Sequence, residues 1–117
     1  MIATITAQGT HTSSQTHALK VGLNKIGRRT EPQQQPASGE VLLNTEDASI
    51  HRQYHCVIEV IANSKGYDYI LYPYESAANP TLLGPERKAL HSLDQVYLKI
   101  GVPFFVGENT AITLHQK

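Results

Sequence analysis

A chain of 117 residues is long enough for one domain with its own core and too short for two ordinary ones. Ten Lys and Arg balance ten Asp and Glu, so no net field draws the molecule to nucleic acid or to an anionic bilayer. Cys56 is the single cysteine, which excludes an internal disulfide and fits a reducing compartment.

The first residues lack the basic start and apolar run of a signal peptide, and no window approaches the roughly 18 apolar residues of a membrane helix. A soluble, cytoplasmic domain spanning residues 1–117 is the expectation. Residues 2–7 alternate in β-branched fashion and predict a strand, broken at Gln8 and Gly9. Residues 9–15 read as a polar turn, and short strands follow over 17–21 and 24–28. The segment 30–39, rich in proline and glutamine, has no apolar period and predicts an exposed loop of unusual length.

A strand resumes over 40–44, and a polar turn over 45–49 leads into a change of character. His51, Arg52, Gln53 and His55 crowd together, and then Val57, Glu59 and Ile61 alternate with Ile58 and Val60, as in a half-buried strand. Side chains able to grip a ligand are thus planted where a loop meets a rigid strand. A hairpin is predicted through 63–66, with Gly66 in the positive φ such a turn needs and 67–72 as the return strand, its Tyr67 and Tyr69 forming one sheet face. Residues 73–80 are again a loop. Leu82-Leu83 and Ala89-Leu90 are small apolar patches, 95–101 and 103–106 read as a hairpin pair, and 110–114 closes the chain as a strand.

No window keeps a helical period, while short strands recur every 8–12 residues or so between turn signals. The pattern predicts an all-β, two-sheet β-sandwich of about ten to eleven short strands. No Ser-His-Asp set, paired carboxylates or glycine-rich phosphate loop stands out, so no enzyme and no cofactor is expected. His51, His55 and Cys56 supply too few ligands on one face for zinc, and no metal site is expected either.

In order and spacing, several motifs resemble the forkhead-associated (FHA) domain over nearly the whole chain. The run LKVGLNKIGR at 19–28 looks like that family's strand, glycine turn and Gly-Arg pair. Asp47 and its polar turn follow, then a histidine before the strand VIEV at 57–60. Asn79-Pro80-Thr81 stands near the place of the family's Asn-Gly-Thr, and Leu90, Asp94 and the strand ending at Gly101 resemble its closing elements. The resemblance implies an FHA/SMAD-like sandwich of eleven strands that binds phosphothreonine peptides through loops at one end.

Three positions depart from the family pattern. Its Ser-x-x-His motif is not intact: counting from Asp47 places His51 and Tyr54 at the two positions, whereas counting back from the strand places Arg52 and His55 there. Ala78 stands where a hydroxyl residue usually precedes the asparagine, and Pro80 replaces the glycine after it. The resemblance implies phosphate contacts from Arg28, with Arg52 and His51 as further cationic donors, and peptide contacts from Asn79, Ser76 and Thr81. Gly27 and His55 would be structural at the site. The implied function is a non-catalytic interaction module for a phosphothreonine-containing partner; the alternative is a degenerate domain that binds an unmodified protein.

Overall fold

The computed structural model describes residues 2–31, 33–52, 54–74, 79–84, 86–91 and 94–116. It is an all-β sandwich. Its eleven strands are β1 (Thr4–Gly9), β2 (Thr12–Ala18), β3 (Gly22–Arg28), β4 (Glu40–Leu43), β5 (Cys56–Asn63), β6 (Gly66–Pro73), β7 (Leu82–Leu83), β8 (Lys88–Ala89), β9 (Val96–Tyr97), β10 (Phe104–Val106) and β11 (Thr110–His115). One sheet runs β2-β1-β11-β10-β7-β8 and the other β4-β3-β5-β6-β9.

Alternation in the sequence becomes alternation in space. Cys56, Ile58 and Val60 of β5 point into the core, while Val57 and Glu59 lie on the other face. Opposite them Ile5, Phe104, Ile112 and Leu114 close the core from the first sheet. The two layers are also tied by polar contact, because the buried Ala3 N–H donates to the Tyr69 hydroxyl at 2.8 Å. Tyr69→Phe should therefore orphan a buried N–H and cost about 1–3 kcal/mol, read as a lower denaturant midpoint at unchanged slope.

Three expectations change. The stretch predicted as a turn over 9–15 and a strand over 17–21 is instead the strand Thr12–Ala18, an edge strand with a largely polar face that leaves no apolar alternation to find. The predicted hairpin of 95–101 with 103–106 does not form. Val96–Tyr97 pairs with β6 in one sheet, and Phe104–Val106 pairs with β11 and β7 in the other. The segment after β3, expected only as an exposed loop of unusual length, gains a topological duty. β3 and β4 pair in parallel, and a parallel pair needs a crossover of about a dozen residues to bring the chain back to its starting end.

Strand directions then define one end of the sandwich. The β1–β2 turn, the close of β3, the close of β4 with the segment leading to β5, the residues after β6, and the turn 107–109 all gather there.

Candidate functional site

Arg28 is the last residue of β3 and half-buried. Its backbone N–H donates to His51 C=O at 3.2 Å and its Nε to Ile50 C=O at 3.0 Å. The guanidinium is thus fixed against the 50–51 turn through one edge, and its Nη groups have no hydrogen bond among the described residues. A planar fork of donors held in this way presents a bidentate site for a phosphate or carboxylate.

The turn itself is held from below by Asp47. Its carboxylate accepts from Ser49 N–H at 3.0 Å, from the Ser49 hydroxyl, and from the Thr110 hydroxyl at 3.1 Å. Ser49 Oγ in turn accepts from Glu108 N–H at 2.7 Å. Thr110 also shares a hydrogen bond with Thr12 at 3.0 Å, and Thr12 with Thr45. Burial works to raise the Asp47 carboxyl, but the hydrogen bonds from Ser49, Thr110 and the Asn109 backbone outweigh it and hold the group below its ordinary value.

His55 is fully buried beneath the turn. Its Nδ1 accepts from His51 N–H at 3.0 Å, which places the ring proton on Nε2, 3.4 Å from Pro80 C=O. Gly107 N–H lies 3.3 Å from the same Nε2 and finds no lone pair there in this tautomer. One imidazole therefore touches the turn, the 79–81 segment and the 107–109 turn. Desolvation, with a smaller contribution from neighbouring His51, pushes its pKa below the ordinary value against the opposing pull of Pro80, Asp47 and Asn79, so the ring is neutral.

These shifts fix a pH profile. The unfolded chain takes up a proton at His55 below about pH 6.5 while the folded chain resists it, so stability should fall as pH drops from there. The slope is at most about 1.4 kcal/mol per pH unit for one proton. Asp47 acts in a lower window, its contribution being present above its unfolded value of 3.8 and lost as pH falls through the depressed folded value. Thermal melts from pH 8 to pH 3 should show a plateau from pH 7 upward, a decline that begins near pH 6.5, and a further loss below about pH 4 as Asp47 is protonated.

Asn79 is half-buried and donates through Nδ2 to Ser49 C=O at 3.0 Å, linking its segment to the same turn. Arg52 is exposed on that turn, and His51 sets its ring edge-on to Tyr74 at 5.2 Å. Gly27 is buried in β3 opposite Leu42 of β4. Thr81 ends the 79–81 segment. Its side chain turns inward with 2% of its surface exposed, so the hydroxyl does not reach the outer face of the loop. Ser76 and Gln53 lie outside the described residues. Among the described residues no group of three His, Cys, Asp or Glu comes together as metal ligands. Cys56 is fully buried and its thiol is pushed up by desolvation, so it packs as an apolar group.

Sequence reasoning missed two features. Tyr54 and Tyr74 stack at 4.1 Å between the turn and the close of β6, with Lys25 Nζ over the Tyr54 ring at 5.4 Å. The 107–109 turn, distant in sequence, supports the site through Ser49. No local signal marks either one.

This arrangement belongs to a recognised class of sandwich, the FHA fold. Over 97% of this chain it superimposes on 86% of an FHA domain from an Arabidopsis thaliana hypothetical protein, with a TM-score of 0.65 and 20% identity. It also matches the FHA domain of the CT664 protein of Chlamydia trachomatis, with a TM-score of 0.64 at 19% identity over 97% of this chain and 98% of that one. A third neighbour is an FHA domain studied for phosphothreonine-dependent interactions, with a TM-score of 0.64, 19% identity and 97% of each chain covered. No family profile and no curated protein sequence matches the chain.

Proposed function

We propose that this chain is a non-catalytic interaction module that reads an extended, phosphothreonine-containing peptide at the end formed by Arg28, the 47–52 turn and the loop containing Asn79. The observation that carries this reading is the seating of Arg28. Its Nε is committed to Ile50 C=O, while its Nη groups have no hydrogen bond among the described residues and can serve a ligand. That an FHA domain of the same fold engages in phosphothreonine-dependent interactions supports the choice of ligand.

The burial of His55 favours the register counted back from the strand, in which Arg52 takes the place of the family's serine. A hydroxyl donor is then exchanged for a second guanidinium, and a charge-assisted bond to a dianion is roughly twice as strong as a neutral one. His51 flanks this pair in the chain and offers a further ring donor. Asn79, braced by Ser49 C=O, keeps an amide oxygen able to accept from a peptide backbone. Ser76 would contribute from the same loop.

The test is a titration of the chain, followed by amide NMR shifts, with a degenerate phosphothreonine peptide library and its unphosphorylated twin. Shifts confined to the phosphorylated pool and centred on Arg28, Arg52 and Asn79 are the expected result. Equal response to both pools would replace this reading with a reader of unmodified partners.

A further inference from the structure

The sandwich has two open sides, where the edge of one sheet faces the edge of the other, and they are finished differently. On one side the edges are β2 and β4. There the Gln15 amide donates to Asn44 C=O at 2.7 Å and accepts from Asn44 N–H at 2.9 Å, so a side chain occupies the groups that a further strand would pair with. On the other side the edges are β8 and β9, and among the described residues no such clasp joins them.

What lies between β8 and β9 is a groove of about 320 Å³, with Leu83, Val96, Leu98 and Val102 lining it. Lys88 stands on the β8 bank and Lys99 just beyond β9, with Glu86 as the single acidic residue lining it among the described residues. Tyr97, at the rim, is 64% exposed and Val102 39%, so apolar surface at the mouth of the groove is open to solvent.

The backbone adds a second observation. Leu98 N–H donates to Tyr69 C=O at 2.8 Å, and the register pairs Tyr97 with Ile70 and Val96 with Leu71. Residues 96 and 98 therefore make the ladder to β6, and the N–H and C=O of Tyr97 point the other way, along the free edge. No loop or turn residue among those described bonds to either.

The geometry points to a strand-addition site: an unphosphorylated, extended segment of a partner protein, apolar at alternate positions and carrying a carboxylate, pairs with the outer edge of β9 at Tyr97. Main-chain bonds supply affinity in such pairing, and pockets for alternate side chains supply selectivity. Every second side chain of the added strand enters the groove, and the excess of lysine over glutamate on its banks selects an acidic segment. The site is separate from the phosphate-reading end. Gly101 N–H bonds to Leu114 C=O at one end of β11, whereas Asp47 bonds to Thr110 at the other, so both sites can be filled at once.

The experiment uses the whole chain, amide NMR and two pools of unphosphorylated decapeptides that alternate Val or Leu with Ser or Thr, one flanked by Asp and Glu and one by Lys. The acidic pool should shift the amides of Val96 to Lys99 and slow exchange of the Tyr97 N–H, with the basic pool at least tenfold weaker. N-methylation of a selected peptide at one alternate set of residues should weaken it at least tenfold, and at the other set should leave it unchanged. Charge reversal with Lys88→Glu and Lys99→Glu together should turn the preference toward the basic pool. No response at these amides with millimolar peptide, or indifference to the N-methyl pattern, would overturn strand addition. Concentration-dependent shifts at the same amides without peptide would make the occupant a second copy of this chain, which also overturns the stated partner.

Discussion

Arg28→Ala should weaken binding of a selected phosphothreonine peptide by roughly a hundredfold or more. Two charge-assisted bonds from a guanidinium fork are worth about 3 kcal/mol or more between them, and each 1.4 kcal/mol is tenfold in affinity. The same substitution removes the Nε bond to Ile50 C=O, so part of the loss could come from a loosened turn. Arg28→Lys separates the two causes. Lysine keeps the charge but not the fork, and it should recover only a fraction of the affinity if bidentate geometry is what matters. Calorimetric titration measures both variants, and a thermal melt within a few degrees of the parent establishes that the fold is intact. Unchanged affinity in Arg28→Ala would remove this residue from the site.

Gly107→Ala is the second large expectation, and it concerns stability and site together. Gly107 sits at φ +63°, and an added Cβ would lie 2.4 Å from Ser49 Oγ and 2.9 Å from Ile50 Cγ1. A left-handed conformation costs a residue with a Cβ about 1–2 kcal/mol, and the overlap costs about 1–3 kcal/mol more as the turn is pushed aside. The contact falls on the residues that carry Asp47's hydrogen bond and Arg28's carbonyl anchor. A loss of about 3 kcal/mol in urea unfolding is expected, with weaker phosphopeptide binding at temperatures where the chain remains folded. A fully stable variant with parental affinity would show that the 107–109 turn does not set the geometry of the site.

Local patterns in the sequence were enough for the layers and not for the pairings. β5 and β6 were legible because one residue in two is apolar and a glycine turn joins them. β2 was hidden because an edge strand facing solvent needs no apolar period, and Ser13, Ser14 and Gln15 read as turn residues by composition. The 95–106 hairpin failed for a different reason. Adjacent strands usually pair, but here the chain crosses from one sheet to the other between them, and nothing local records the crossing. The placing of Arg28 and Asn79 beside the same turn was legible from ordered motifs, and the burial of Thr81 was not, since threonine suits either face of a strand end. The supports were the least visible part. Thr110 and Gly107 act on Asp47, Ser49 and Ile50 across half the chain, and such contacts leave no spacing to read.

The pairing of β1 with β11, which sets Thr4 against His115 and Gly9 against Thr110, has a consequence for the order in which the molecule becomes competent. A chain emerging from the ribosome as far as residue 100 already carries Arg28, Arg52 and Asn79, yet it lacks the hydroxyl of Thr110 that fixes Asp47 and the strand that seals the first sheet. Contacts of such long sequence separation make folding slow and leave it waiting until β11 has been made. A turn braced by Thr110 is therefore not set until β11 has paired, and a chain truncated before residue 110 should be silent toward a phosphothreonine peptide rather than weakly active.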